Sequence, residues 1–96
     1  MPKLDSPQIK SSLATVPDWK KKGSSIVRTY QFKDFVVAMK FVNAVAKLAE
    51  KTQHHPDIDI RWNKVSLSLT THDVGGLSEK DFAAAIRFDS AAGKVA

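Results

Sequence analysis

An α+β two-layer sandwich is the fold class this sequence predicts, and three observations predict it. Two stretches, from about Phe35 to Glu50 and from Ser78 onward, repeat apolar residues at steps of three and four, the period of a helix packed on one side. Three others, Ser25 to Phe32, Ile58 to Trp62 and Val65 to Leu69, alternate at the period of a strand. Their order is strand, helix, strand hairpin, helix, with no repeat and no linker, which sets helices in one layer against an antiparallel sheet.

Chain length and composition narrow the class further. Residues 1–96 support one core and form a single domain. Apolar residues make up 43% and charged residues 26%, a balance that folds rather than stays disordered. Cysteine is absent, which excludes a disulfide framework, a thiol nucleophile and a thiolate zinc site. Met1 to Asp5 lack a basic-then-apolar leader pattern, and no run nears the roughly 18 apolar residues of a membrane span, so a soluble protein of the cytoplasm is expected. A net charge of +5 raises the question of nucleic acid, but the only basic run is Lys20-Lys21-Lys22 beside Gly23-Ser24-Ser25, and it is read as a solvated loop.

Taken in order, residues 1–12 have few apolar anchors and are expected to fray or form at most a short helix. Leu13, Val16 and Trp19 form a small apolar stripe that Pro17 interrupts, with Trp19 as a core anchor. In the strand from Ser25 to Phe32, Ile26, Tyr30 and Phe32 share a face on which Arg28 is the odd member. Asp34 is placed to cap the following helix, whose packed face is Phe35, Ala38, Met39, Val42, Val45, Ala46 and Ala49.

Pro56 then biases His55 toward extended geometry, so the helix ends before it and leaves His54 and His55 at its C-terminal edge. Ile58, Ile60 and Trp62 alternate with Asp57, Asp59 and Arg61 as a half-buried strand, and Asn63-Lys64 is read as the turn into Val65, Leu67 and Leu69. By parity His72 lies with Ser66, Ser68 and Thr70, off the apolar face. A turn over Asp73 to Gly76 leads to Ser78 as N-cap, Asp81 at the third helical position, and Phe82, Ala85, Ile86 and Ala83 toward the core. Residues 90–96 are small and are expected to fray.

All three histidines lie between Glu50 and Asp81. Imidazole exchanges protons near neutrality, so His54 and His55 after a helix and His72 after a strand are candidate acid/base groups if the turn at Pro56 lets them converge. Asp81 has two compatible roles, capping acid and site residue. No His-x-His or His-x-x-x-His pair is present, so spacing does not argue for a metal.

Glu50-x-x-x-His54-His55-Pro56, with Trp62, His72 and Asp81 at their spacings, resembles the signature of the pterin-4a-carbinolamine dehydratases. Tyr30-Gln31-Phe32-Lys33-Asp34-Phe35, Asn63-Lys64-Val65, Thr71-His72-Asp73 and Gly75-Gly76-Leu77-Ser78 extend the resemblance over about Trp19 to Asp89. It implies a four-stranded antiparallel sheet with helices packed on one face, assembled as a homodimer or homotetramer. The implied activity is dehydration of 4a-hydroxytetrahydrobiopterin to the quinonoid dihydrobiopterin in tetrahydrobiopterin recycling, with no metal or organic cofactor. The family's catalytic residues fall on His54, His55, His72 and Asp81, and its pterin contacts on Gln53, His54, His55, Thr70, Thr71, His72 and Asp73.

Of these, His55 and His72 are the expected acid/base pair, with His54 orienting or assisting and Trp62 packing beneath the site. Gln53 stands where some relatives carry an acid, and Ile58 where some carry an aromatic. Because animal relatives also act as dimerisation cofactors of a transcription factor, a coactivator-like binding module is the competing class; direct nucleic-acid binding is third.

Overall fold

The computed structural model describes residues 2–95. The chain runs through α1 (Ser6–Leu13), β1 (Lys20–Lys22), β2 (Ser25–Gln31), α2 (Phe35–Thr52), β3 (Asp57–Arg61), β4 (Lys64–Leu69), a 3-10 turn (His72–Val74) and α3 (Glu79–Val95). The four strands form one antiparallel sheet in the order β1-β2-β4-β3, the α+β class expected. Because β2 and β3 both run antiparallel to β4, they run parallel to each other, and α2 is the crossover that such a pair requires.

The core forms where the apolar face of β2 and β4 meets the helices. Ile26 lies opposite Leu69, Arg28 opposite Leu67 and Tyr30 opposite Val65, which keeps the even residues of β2 and the odd residues of β4 on the buried face. Phe41, Val45 and Phe88 close the same core from α2 and α3. Asp34 caps α2 by accepting from the Val37 N–H at 2.9 Å.

A polar cluster sits at the end of this core, built on Asp89 of α3. Its Oδ1 accepts from Trp19 Nε1–H at 2.9 Å, Arg28 Nη1–H at 2.8 Å and the Tyr30 hydroxyl at 2.5 Å. The Arg28 guanidinium also lies 4.2 Å from the Tyr30 ring centroid, so the odd member of the strand face is held by charge and by stacking. Burial, then the hydrogen bond to Asp89 and its charge, push the Tyr30 phenol well above its ordinary value, and Arg28 opposes them only in part.

Several local expectations differ from the structure. Lys20 to Lys22 form β1 rather than a loop, because their backbone pairs with Ser25 to Val27 while all three side chains stay in water, where lysines also protect a sheet edge. Residues 6–13, expected either to fray or to form a short helix, form the helix, held by a reciprocal cap between Asp5 and Gln8. At the other end α3 does not fray at Ser90 but runs to Val95, with Ala91 buried; Met1 and Ala96 lie outside the described residues.

Helix faces are rotated from those read in the sequence. In α2 the buried residues are Ala38, Phe41, Val45 and Ala49, whereas Phe35 and Ala46 are exposed. In α3, Ala84 and Phe88 join Phe82 and Ala85 in the core, while Ala83 and Ile86 face outward. A sequence stripe gives the period of a helix but not which turn of the stripe meets its neighbours.

Strand β3 is exposed along its whole length, not half buried. Ile58 and Ile60 lie opposite Leu67 and Val65, on the core side of the sheet, so the helix layer stops short of this edge. The hairpin turn is Trp62-Asn63, one residue earlier than expected; Trp62 has φ 51° and is 65% exposed. Asn63 is the buried member, and its Nδ2 donates to the Phe32 carbonyl at 2.8 Å.

Candidate active site

Three chain ends meet at one edge of the sandwich: the C-terminus of α2, the end of β4 with its 3-10 turn, and the N-terminus of α3. Thr52 Oγ1 donates to the Leu48 carbonyl, and Gln53 takes the left-handed conformation at φ 54° with its N–H on Ala49 O, which stops the helix. The chain then releases Gln53, His54 and His55 before Pro56 sends it into β3. Across from them, Thr71 pairs with Gly76 in an isolated antiparallel bridge, and Gly75 at φ 67° closes the turn that carries His72 and Asp73.

The space between is a cleft of about 210 Å³ lined by Gln53, His54, His55, Thr70, Thr71, His72, Asp73 and Lys80. All seven expected pterin-contact residues line it, so the three histidines do converge. A larger cavity of about 450 Å³ lies between the N-terminal segment and the β1–β2 hairpin, but its lining has no histidine and its acid, Asp5, caps α1. The histidines, the side chains suited to proton exchange near neutrality, line the smaller cleft.

Asp81 stands behind this lining. Its side chain is 0% exposed, and Oδ1 lies 2.6 Å from Nε2 of His54, whose side chain is 11% exposed. Oδ2 accepts from the Thr71 hydroxyl at 2.8 Å and from the Ser78 backbone N–H at 3.0 Å. Ser78 Oγ in turn accepts from the Lys80 N–H at 3.3 Å, the reciprocal pattern of a capping box. One carboxylate thus both caps α3 and hydrogen-bonds His54.

His55 is more open, 55% exposed, with Nε2 hydrogen-bonded to a Glu50 carboxylate oxygen. His72 is exposed at the start of the 3-10 turn, off the core as parity required. Thr70 lines the cleft while its hydroxyl donates to the Ser24 carbonyl at 2.7 Å, tying the site to the β1–β2 hairpin. Trp62 does not pack beneath the site. It lies at the far end of the β3–β4 hairpin, roughly 20 Å from Pro56 along the extended strand.

Sequence reading missed Lys80, which enters the cleft from the second position of α3, and gave no partner role to Glu50 or Ser78. The cap motif around Ser78 was the signal for Lys80, since a helix that starts at a cleft carries its first-turn side chains to it. Among the described residues, no three His, Asp or Glu side chains are grouped closely enough to hold a metal ion.

Comparison with known proteins identifies the family. The family described as Pterin 4 alpha carbinolamine dehydratase matches residues 2–91. A protein of Chloroflexus aurantiacus, provisionally named a pterin-4-alpha-carbinolamine dehydratase, is 53% identical over 97% of this chain and 100% of its own length. One from Thermomicrobium roseum with the same provisional name is 54% identical over 88% of this chain and 91% of its own. Among solved structures, a transcriptional coactivator/pterin dehydratase from Brucella melitensis superposes with a TM-score of 0.91 at 32% identity, covering 95% of this chain and 99% of that one. A pterin dehydratase-like protein described as a RuBisCO assembly factor in the alpha-carboxysome is more distant, at a TM-score of 0.67 and 28% identity, covering 78% of this chain and 87% of that one. With a family match over nearly its whole length and relatives above half identity, the chain belongs to the pterin-4-alpha-carbinolamine dehydratase family.

Proposed function

We propose that this protein dehydrates 4a-hydroxytetrahydropterins, 4a-hydroxytetrahydrobiopterin among them, to the quinonoid dihydropterin. The observation that carries this reading is one cleft that gathers His54, His55 and His72 from two distant segments, with His54 backed by the buried Asp81. The reaction breaks the C4a–O bond as a proton reaches the departing hydroxyl, removes the proton on N5, and forms the C4a–N5 double bond. Water is the only other product, so no oxidant enters.

His55 and His72, the more open rings, act as the acid/base pair, and His54 orients or assists. Gln53, Thr70 and Asp73 contact the pterin ring. The same reading makes the protein a cytoplasmic enzyme of tetrahydrobiopterin recycling that works as a homodimer or homotetramer. The exposed edge strand β3, with Ile58 and Ile60 outside the helix layer, supports self-association.

The test is the decay of freshly prepared 4a-hydroxytetrahydropterin, followed by ultraviolet absorbance, with and without a chelator. Acceleration that survives the chelator and disappears when His55 and His72 are both replaced supports the metal-free dehydratase. No acceleration by folded protein removes it.

A coactivator-like binding role is the second reading. It is favoured by the description of the Brucella melitensis structure and by exposed Phe35 and Val36 at the start of α2. His55→Ala protein that loses dehydration but keeps full biological activity would put this role first.

A further inference from the structure

We propose that Thr71 and Ser78 are positioning residues whose hydroxyls form a one-way hydrogen-bond chain onto Asp81, fixing the tautomer that His54 presents to the cleft. Thr71 lines the cleft, but it is a buried residue and its hydroxyl is already engaged, which changes its role from pterin contact to support.

The direction of the chain follows from counting hydrogens. A carboxylate only accepts, and a hydroxyl carries one hydrogen. Thr71 donates that hydrogen to Asp81 Oδ2 at 2.8 Å, so in its 2.7 Å contact with Ser78 Oγ it must accept. Ser78 is therefore the donor in that contact, while its own oxygen accepts from the Lys80 N–H. With Oδ2 also taken by the Ser78 N–H, Oδ1 is left for His54, and Nε2 must supply the proton. The neutral His54 ring then carries Nε2–H and keeps Nδ1 as its free acceptor.

Burial makes this arrangement stiff. Thr71, Ser78 and Asp81 are all buried, and no buried side-chain polar atom among the described residues lacks a partner, so none of the three can rotate without leaving a group unpaired. Two donors that converge on Oδ2 also fix what a neutral amide would do. In Asp81→Asn the amide oxygen must take the Oδ2 position, which turns the NH₂ toward His54. Nε2 must then accept, and the ring is driven to the Nδ1–H form.

The experiment is imidazole ¹H–¹⁵N correlation spectroscopy on the neutral ring of His54, with steady-state kinetics on the same proteins. Nε2–H in the native protein and Nδ1–H in Asp81→Asn is the expected result. An Nδ1–H ring in the native protein, or no change in Asp81→Asn, overturns the proposal. Should Asp81→Asn not fold, Thr71→Val decides: it removes one donor at constant shape, lowers kcat about 10-fold or more while KM stays near native, and Thr71→Ser restores kcat. A rise in KM alone would make Thr71 a substrate contact, and failure of Thr71→Ser to rescue would make its role purely structural; either outcome defeats the proposal. The kinetic arm rests on the dehydratase reading, but the tautomer arm does not, so a ring that switches in a protein without activity would remove the proposed function and leave the chain standing.

Discussion

Nε2 of His54 lies 2.6 Å from Oδ1 of Asp81, 27 residues later in the chain and in the first turn of another helix. The acid that caps α3 therefore also anchors the cleft, and the site cannot form until α2 and α3 are docked at that corner.

Replacing Asp81 by Ala should be costly for that reason. The Thr71 hydroxyl, the Ser78 N–H and the His54 Nε2–H would lose their common acceptor in a place that water does not reach. We expect a loss of about 2–4 kcal/mol, measured by urea unfolding. An unchanged midpoint would mean that the carboxylate contributes no stability to the fold.

His55→Ala and His72→Ala should behave in the opposite way. Both rings are exposed, and the His55 contact with Glu50 is a surface pair, so stability should change by no more than about 1 kcal/mol. The rate of 4a-hydroxytetrahydropterin decay should fall by roughly 10² to 10⁴. Full activity in either protein would remove that ring from the acid/base pair.

Tyr30→Phe tests the phenol at Asp89 through alkaline stability. Burial raises the phenol's value in the folded state, so above about pH 10 the unfolded chain releases a proton that the folded chain retains. The stabilisation is complete below pH 10 and declines as pH rises, by at most about 1.4 kcal/mol per pH unit. Tyr30→Phe should be less stable at neutral pH by about 1–2 kcal/mol for the lost hydrogen bond. Between about pH 10 and 11.5 its stability should fall less steeply than the native protein's. Parallel slopes in the two urea series would contradict the assignment.

Asp89→Ala removes one oxygen that three donors share. Trp19, Arg28 and Tyr30 would each be left without it, and we expect a loss of about 2–4 kcal/mol. The cluster lies outside the cleft, so dehydration per folded molecule should be unaltered. A fall in kcat at saturating substrate, with the protein shown to be folded, would link this cluster to the cleft through α3.

Much of this architecture was legible in local pattern. The period-two stretches became β2 and β4 with the expected parity, since Val65, Leu67 and Leu69 had to share a face once any face was buried. Asp34 and Ser78 marked helix starts because short polar side chains satisfy orphan N–H groups wherever the chain enters a helix. Clustering of the histidines with Pro56 pointed to the cleft, and the motif spacing pointed to the family.

What lay beyond the sequence depended on neighbours distant along the chain. Lys20 to Lys22 have no strand pattern, and β1 exists because β2 offers an open edge to pair with. Ile58, Ile60 and Trp62 read as a buried face, yet the helices do not extend over β3. Thr71 and Asp81 lie ten residues apart, and only packing brings the Thr71 hydroxyl onto the Asp81 carboxylate beside His54. Periodicity and capping act within a few residues, so the primary structure alone determined the patterned elements, α2, β2, β3, β4 and α3, and the group of residues at the cleft. Which edge stays open, which helix face is covered and which hydroxyl meets which acid are set by contacts between segments, and those exist only once the helices and sheet are docked.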